Sequence, residues 1–300
     1  MSRACFVDHH PSPTDHSTGG YSRVKIALFL ALGLAAIQGL GSYLSGSLAL
    51  LADTVHVIAD SSSLLFTLVA GWLARRPGSS RRSYGYYRIE VLSAFLSGLV
   101  LAGISLAIFY RAFFRLIEPQ VVVVDVMLGI ALLGFVVNLV MLKIMHPARS
   151  ESMNIKGAYL HILGDSLSSA AVVLSAVVML LTQWFWFDAV ASMIVGAMIM
   201  WMSIRLVRDA AHVLLEGTPR HLDADKIAAQ MKQEFPQVKD LHDFHIWEIT
   251  AHWHSLTAHI EANVNTLEES QALSERLSQW VKDKYNVSHS TWQVERSHTL

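Results

Sequence analysis

Two copies of one spacing carry the chemistry of this sequence. His56 and Asp60 stand four residues apart, and so do His161 and Asp165. On a helix that spacing places an imidazole and a carboxylate on one face, one turn apart. Asp53, three residues before His56, shares that face and is a candidate relay or a helix-packing hydrogen-bond partner. Two imidazoles and two carboxylates make four nitrogen and oxygen ligands, the number and type that zinc takes in a tetrahedral shell. Calcium and magnesium take more oxygens, and the absence of thiolate argues against a soft Cu(I) site. Cobalt(II), cadmium and iron(II) share the preference and stay open. So does a structural reading in which each histidine only hydrogen-bonds the aspartate of its own helix.

The elements that must position these residues are membrane spans. The 300-residue chain is 53% hydrophobic and only 16% charged, a balance that suits a membrane protein with a smaller soluble part. Six apolar segments are expected as helices at Val24–Leu44, Ser47–Leu73, Ile89–Phe114, Val121–Met145, Ile155–Phe185 and Ala189–Val207. Each is long enough to cross a hydrocarbon core of about 30 Å. Basic residues set the orientation. Arg23, Lys25, the cluster Arg75, Arg76, Arg81, Arg82 and Arg88, then Lys143, Arg149, Lys156, Arg205 and Arg208 fall on one side, against Arg111 and Arg115 on the other. Both termini are therefore expected in the cytoplasm. Trp184–Phe187 reads as an interfacial aromatic anchor. The second and fifth spans run in opposite directions. At about 1.5 Å per residue, His56, Asp60, His161 and Asp165 all fall within roughly a turn and a half of the bilayer midplane. Ionisable groups at that depth are costly, and they are functional candidates for that reason.

Residues 1–22 are polar, hold His9, His10 and His16, and lack the layout of a signal peptide, so a disordered tail is expected there. Beyond Gly217 the composition turns soluble. A helix over His221–Phe235, strands over Val238–Thr250 and Ser255–Asn263, a helix from the Thr266/Glu269 capping box to Tyr285, and a strand over His289–Arg296 give the order αββαβ. The expected division is a tail at 1–22, a six-span domain at 23–209 and a small domain at 210–300. A net charge of −1 gives no basis for a nucleic-acid partner, and the lone Cys5 rules out a disulfide framework. No H-E-x-x-H and no Walker A sequence occurs, so neither an intramembrane zinc protease nor direct ATP coupling is expected, and the chain is not read as an enzyme. A hydrolase using Asp60 and Asp165 as paired carboxylates is disfavoured by the flanking histidines.

The chain resembles the cation diffusion facilitator family, in its zinc or cobalt-zinc-cadmium efflux branch, over nearly all of Val24–Glu295. The motifs that carry the resemblance are Ser47-Leu-Ala-Leu-Leu-Ala-Asp53-Thr-Val-His56-Val-Ile-Ala-Asp60, Arg82-Ser-Tyr-Gly-Tyr-Tyr-Arg88-Ile-Glu90, His161-Ile-Leu-Gly-Asp165-Ser and Leu241-His242-Asp-Phe-His245-Ile-Trp247. The resemblance implies a homodimer of Y-shaped architecture, zinc export coupled to protons, and a cytoplasmic domain like the metallochaperones. It makes His56, Asp60, His161 and Asp165 the transport-site ligands, and the His/Asp mixture is the pattern associated with zinc. It also implies a regulatory zinc at His242 and His259, with His289 and Glu295 matching the ligands near the last strand. His245 is of opposite parity to His242 and is expected to face elsewhere; His252 and His254 are expected to be solvated in a turn. The family places a Lys–Asp pair where this chain has Arg88 and Glu216, an expected hinge salt bridge.

The sequence departs from the pattern in two places. Arg82 and Tyr86 stand where some members carry loop histidines, so no metal site is expected there. The connection between the fourth and fifth spans is short, with only His146, which looks like a bacterial form in an inner membrane. The leading expectation is a proton-coupled zinc exporter; the alternative is a membrane metal sensor or structural metalloprotein that binds zinc without moving it.

Overall fold

A computed structural model of the chain describes residues 18–59, 61, 84–145, 153–250 and 253–296. Six helices come first: α1 (Thr18–Ser45), α2 (Leu48–Ala59), α3 (Arg88–Ile117), α4 (Val124–Met145), α5 (Met153–Thr182) and α6 (Trp186–Leu214). An αββαβ domain follows: α7 (Ala224–Glu234), β1 (Val238–Thr250), β2 (Trp253–Ala262), α8 (Leu267–Tyr285) and β3 (Val287–Arg296). The chain forms two compact units that divide within α3 and α6; the start of α3 through Phe95 and the end of α6 from Arg208 go with the αββαβ domain.

Within the bundle unit, four helices are long and apolar enough to cross a membrane among the described residues: α3, α4, α5 from Leu163, and α6. Many of their large apolar side chains are exposed, Leu99, Leu106, Leu132 and Trp201 among them. That outward apolar surface is what lipid requires of a membrane bundle. The chain is an integral membrane protein with an all-α six-helix bundle. Inside, Leu50, Met127, Val172, Met179, Val195 and Ile199 form one core, and α4 packs against both α1 and α5. Small residues set the closest approaches. A methyl group on Gly98 of α3 would lie 2.7 Å from Val207 Cγ2 of α6, and one on Gly134 of α4 would lie 2.7 Å from Gln38 Nε2 of α1.

Helix ends differ from expectation where local chemistry intervenes. Thr18–Ser22 is helical rather than part of a disordered tail; the rest of that segment lies outside the described residues. The second span is described as α2 and Ser61 only. α5 stops at Thr182 because Gln183 turns into the left-handed region at φ 59°, and the Thr182 hydroxyl accepts from Trp184 N. α6 runs past Val207 to Leu214, ending before Glu216 at φ 60°. Beside that turn, the His212 ring packs against Gly217 where no Cβ would fit, and its Nε2 lies 2.7 Å from the Thr218 carbonyl.

In the second unit β2 is central, antiparallel to β1 and parallel to β3. The parallel pairing needs a crossover, which α8 supplies. Ile227 and Met231 of α7, and Leu273, Leu277 and Val281 of α8, recur at i,i+4 and pack on Ile246, Leu256, Ala258 and Ile260 of the sheet. Asp223 caps α7 by accepting from Lys226 N. Thr266 caps α8 by accepting from Glu269 N, while the Glu269 carboxylate reaches back to Asn265 N rather than to the cap residue's own N–H. Asn286, left-handed at φ 56°, ends α8 and turns the chain into β3.

Candidate metal centres

His56 on α2 and Asp165 on α5 come together. His56 Nε2 lies 3.0 Å from Asp165 Oδ1, with the imidazole almost wholly buried and the carboxylate 17% exposed. The contact joins the two H-x-x-x-D motifs across helices. Two ligands on adjacent corners of a zinc tetrahedron, each about 2.0–2.1 Å from the metal, stand about 3.3 Å apart. A separation of 3.0 Å is therefore close to one edge of such a shell. Asp60 lies outside the described residues; His161 sits on α5, its side chain outside what is described.

Asp53, one turn before His56, is buried and receives three hydrogen bonds: from Gln38 Nε2 at 2.7 Å, Ser168 Oγ at 3.1 Å and Ser169 Oγ at 3.4 Å. Asn138 Nδ2 donates to Ser169 Oγ at 3.1 Å, so α1, α2, α4 and α5 share one polar network. The Gln38 carbonyl oxygen is buried with no hydrogen-bond partner among the described residues. Gln38, Asn138, Ser168 and Ser169 were not singled out by sequence reasoning. A signal existed: Gln38 and Asn138 interrupt apolar spans, and Ser168 and Ser169 follow Asp165 at i+3 and i+4.

In the αββαβ domain a second set of ligand types converges. His242 on β1 is paired with His259 on β2, their rings 5.1 Å apart. Glu295 on β3 reaches both, with Oε1 3.0 Å from His259 Nδ1 and Oε2 3.7 Å from His242 Nε2. One ligand atom from each lies within 4.8 Å of the others, and the three side chains are a third or more exposed. Two imidazoles and a carboxylate fit a zinc or similar divalent ion with a water or a fourth residue completing the shell.

Three expectations for this domain need correction. His289 is opposite Ser255, six residues along β3 from Glu295. It shares Glu295's parity but sits about 20 Å away along the strand, so it is not part of the cluster. His245 is not turned away from His242. A bulge between them, with Asp243 at φ 48°, makes His242 oppose His259 and His245 oppose Thr257, and the extra residue puts both histidines on one face. His254 is buried, not solvated; its ring lies 5.2 Å from that of His221, and its Nδ1 is 3.3 Å from the Asn286 carbonyl. His252 lies outside the described residues. The expected hinge pair is in contact within this unit, Arg88 Nη2 donating to Glu216 Oε1 at 2.9 Å with both side chains well exposed.

A bundle with an apolar outer surface followed by a small αββαβ domain defines an integral membrane protein with a compact α/β domain after its spans. Residues 24–215 match the cation efflux transmembrane domain, and residues 219–297 match the cytoplasmic domain of cation efflux proteins. The chain belongs to this cation efflux, or cation diffusion facilitator, family, in its zinc, cobalt and cadmium branch. It is 34% identical over 281 residues to the metal cation efflux system protein CzcD of Cupriavidus metallidurans, covering 94% of this chain and 88% of that protein. It is 33% identical over 285 residues to the cadmium, cobalt and zinc/H(+)-K(+) antiporter of Bacillus subtilis, covering 94% and 91%. To the zinc transporter ZitB of Escherichia coli it is 32% identical over 274 residues, covering 91% and 87%. These relatives are metal-ion transporters, not enzymes.

Proposed function

We propose that this chain is a secondary transporter that exports zinc, and with it cadmium or cobalt, from the cytoplasm in exchange for protons. The ligands of the moving ion are His56, Asp60, His161 and Asp165. The observation that carries this reading is the buried approach of His56 Nε2 to Asp165 Oδ1 at 3.0 Å, between two helices. A carboxylate and an imidazole at that separation can share a proton or take a divalent ion between them, and a metal-binding imidazole must be neutral. Loading zinc therefore releases protons, and binding protons releases zinc. His56 or His161 carries the exchanged proton, and Asp53 with its hydroxyl and amide donors serves as the relay toward the far side.

The protein works as a homodimer in a bacterial inner membrane, with both termini in the cytoplasm. The proposed division is a tail that ends before α1 at Thr18, a six-span domain through 209 and a cytoplasmic metal-binding domain at 210–300. The cytoplasmic zinc is regulatory and is held by His242, His259 and Glu295. The test is zinc uptake by the purified full-length protein in liposomes under an imposed pH gradient, with cadmium, cobalt, iron and manganese compared. Zinc-dependent flux that follows the gradient is expected, and Asp53→Asn should weaken its dependence on pH. Stoichiometric zinc binding with no flux would instead favour the sensor reading.

A further inference from the structure

Three helices meet on one buried carboxylate at the outer end of the bundle. Asp188 stands in the first turn of α6 and is 1% exposed. Its Oδ1 accepts from Ser47 Oγ at 2.6 Å and Ala49 N at 3.2 Å; its Oδ2 accepts from Leu48 N at 2.8 Å and Arg115 Nη1 at 3.0 Å. Arg115, near the end of α3, also donates to the Gly46 carbonyl at 2.7 Å. Ser47 Oγ in turn accepts from Leu50 N at 3.1 Å. The first N–H groups of α2, which have no partner inside their own helix, are thus taken up by Ser47 and by an anion from α6, where the helix dipole favours negative charge. The guanidinium from α3 balances that anion, as a carboxylate this deeply buried requires.

α2 is the helix that carries Asp53 and His56. Leu48 and His56 are eight residues apart, about 12 Å of helix, too short a rod to bend much. Where its first turn is held therefore fixes the depth and rotation at which His56 meets α5. We propose that Asp188, charge-balanced by Arg115, is a positioning residue for the transport site: it anchors the N-terminus of α2 and so sets the geometry of His56 toward Asp165. This rests on the reading of His56 and Asp165 as ligands of the transported ion.

Simple helix capping predicts something different. Asn caps as well as Asp, and a cap does not depend on the length of its side chain relative to a distant site. Asp188→Glu keeps the charge but adds a methylene between α6 and α2, pushing α2 along its axis or rotating it. The test compares Asp188→Glu, Asp188→Asn, Arg115→Lys and Arg115→Leu in the full-length protein. Initial zinc and cadmium uptake is measured in liposomes, normalised to the amount of folded protein recovered. Supports of metal ligands typically change affinity by about 10- to 100-fold. Asp188→Glu is expected to raise the zinc KM by about that range and to change the cadmium-to-zinc ratio, with Arg115→Leu behaving alike and Arg115→Lys retaining most function. Unchanged KM and metal ratio in Asp188→Glu, with only the yield of folded protein reduced, overturns the proposal. A second readout separates it from the transport reading. In a His242→Ala, Glu295→Gln background, the visible absorption of bound cobalt(II) reports the transmembrane site's geometry without any flux. A tetrahedral band that shifts in Asp188→Glu supports positioning even if the wild type moves no metal; no band, or an unshifted one, overturns it.

Discussion

His56 Nε2 and Asp165 Oδ1 stand 3.0 Å apart, although 109 residues of chain separate them. The contact takes one member from each H-x-x-x-D motif, so His56 meets a carboxylate of the other helix, as the proposed shared site requires. A site divided between α2 and α5 can be opened by moving one helix against the other, which a pair confined to one helix cannot.

The first prediction follows from that division. His56→Ala, Asp60→Ala, His161→Ala and Asp165→Ala are each expected to lower zinc flux by about 100-fold or more, since a missing ligand leaves a tetrahedral ion open to water. Size-exclusion profiles should still show a folded dimer. Near wild-type flux in any two of the four would remove the assignment.

Metal choice should move with ligand hardness. His56→Asp replaces a nitrogen by an oxygen and is expected to favour manganese, iron or cadmium relative to zinc. Competition uptake with paired metals measures the ranking. If the order stays as in the wild type, selectivity resides away from His56.

For the cytoplasmic cluster, residues 210–300 alone should bind zinc and dimerise more tightly. His242→Ala, His259→Ala and Glu295→Gln should each weaken binding by about tenfold or more. His289→Ala should leave it unchanged, because His289 lies opposite Ser255 and away from the cluster. Calorimetry at neutral pH distinguishes these outcomes; a large loss with His289→Ala would falsify the three-residue site.

A pH dependence follows from one surface pair. Lys284 Nζ donates to Glu234 Oε1 at 2.7 Å, tying α8 to α7. Hydrogen bonding by Lys284 holds the Glu234 carboxyl below its usual range, and the same bond raises Lys284. The depressed carboxyl contributes stability that is present above the unfolded carboxylate range and lost as pH falls through the folded value. The raised ammonium contributes stability that is present below the unfolded lysine value and lost as pH rises through the folded one. Glu234→Gln should therefore lower the melting temperature of the isolated domain slightly at neutral pH, and the difference should shrink as pH falls through the carboxylate range. Thermal melts of the two proteins at pH 3 and pH 7 check the sign; a difference as large at pH 3 as at pH 7 assigns the effect to packing.

Much of this was readable in the sequence because its signals are periodic or costly. Spans announce themselves by length, and His56 and Asp165 by the expense of burying them in a membrane. The αββαβ order followed from alternation and from the Thr266 cap. The failures have a common physical cause. Parity arguments assume an unbroken ladder, and the bulge at Asp243 shifts every residue after it, which returned His245 to the face of His242. Nor does a match of residue type near the last strand give distance along it: His289 stands six residues from Glu295 on β3. Asp188 is not legible as a contact point, because nothing local to it reveals that Leu48 and Ala49, some 140 residues away, present free N–H groups to it.

The last prediction concerns Arg88 and Glu216. Arg88 opens α3, and Glu216 occupies the left-handed turn just past α6, so their 2.9 Å contact ties the start of one helix to the exit of the other. Thr250 Oγ1 donates to Glu90 at 2.9 Å, and the Trp253 ring meets Tyr87 edge-on at 4.8 Å, so the first turn of α3 is also held by the β1–β2 hairpin. An isolated pair this exposed is worth only about 0–1 kcal/mol, and as such its loss would barely alter stability. A conformational role makes a different demand. A pair that holds the α6 exit while the cytoplasmic domain responds to metal should matter to flux far more than to folding. Arg88→Glu places two carboxylates face to face and is expected to reduce zinc flux severalfold at unchanged melting temperature. Adding Glu216→Arg restores the attraction with reversed sign and should recover most of the flux. Uptake by the single and double variants at matched protein density decides the matter: a double variant no better than the single leaves Arg88 as a positive-inside anchor and nothing more.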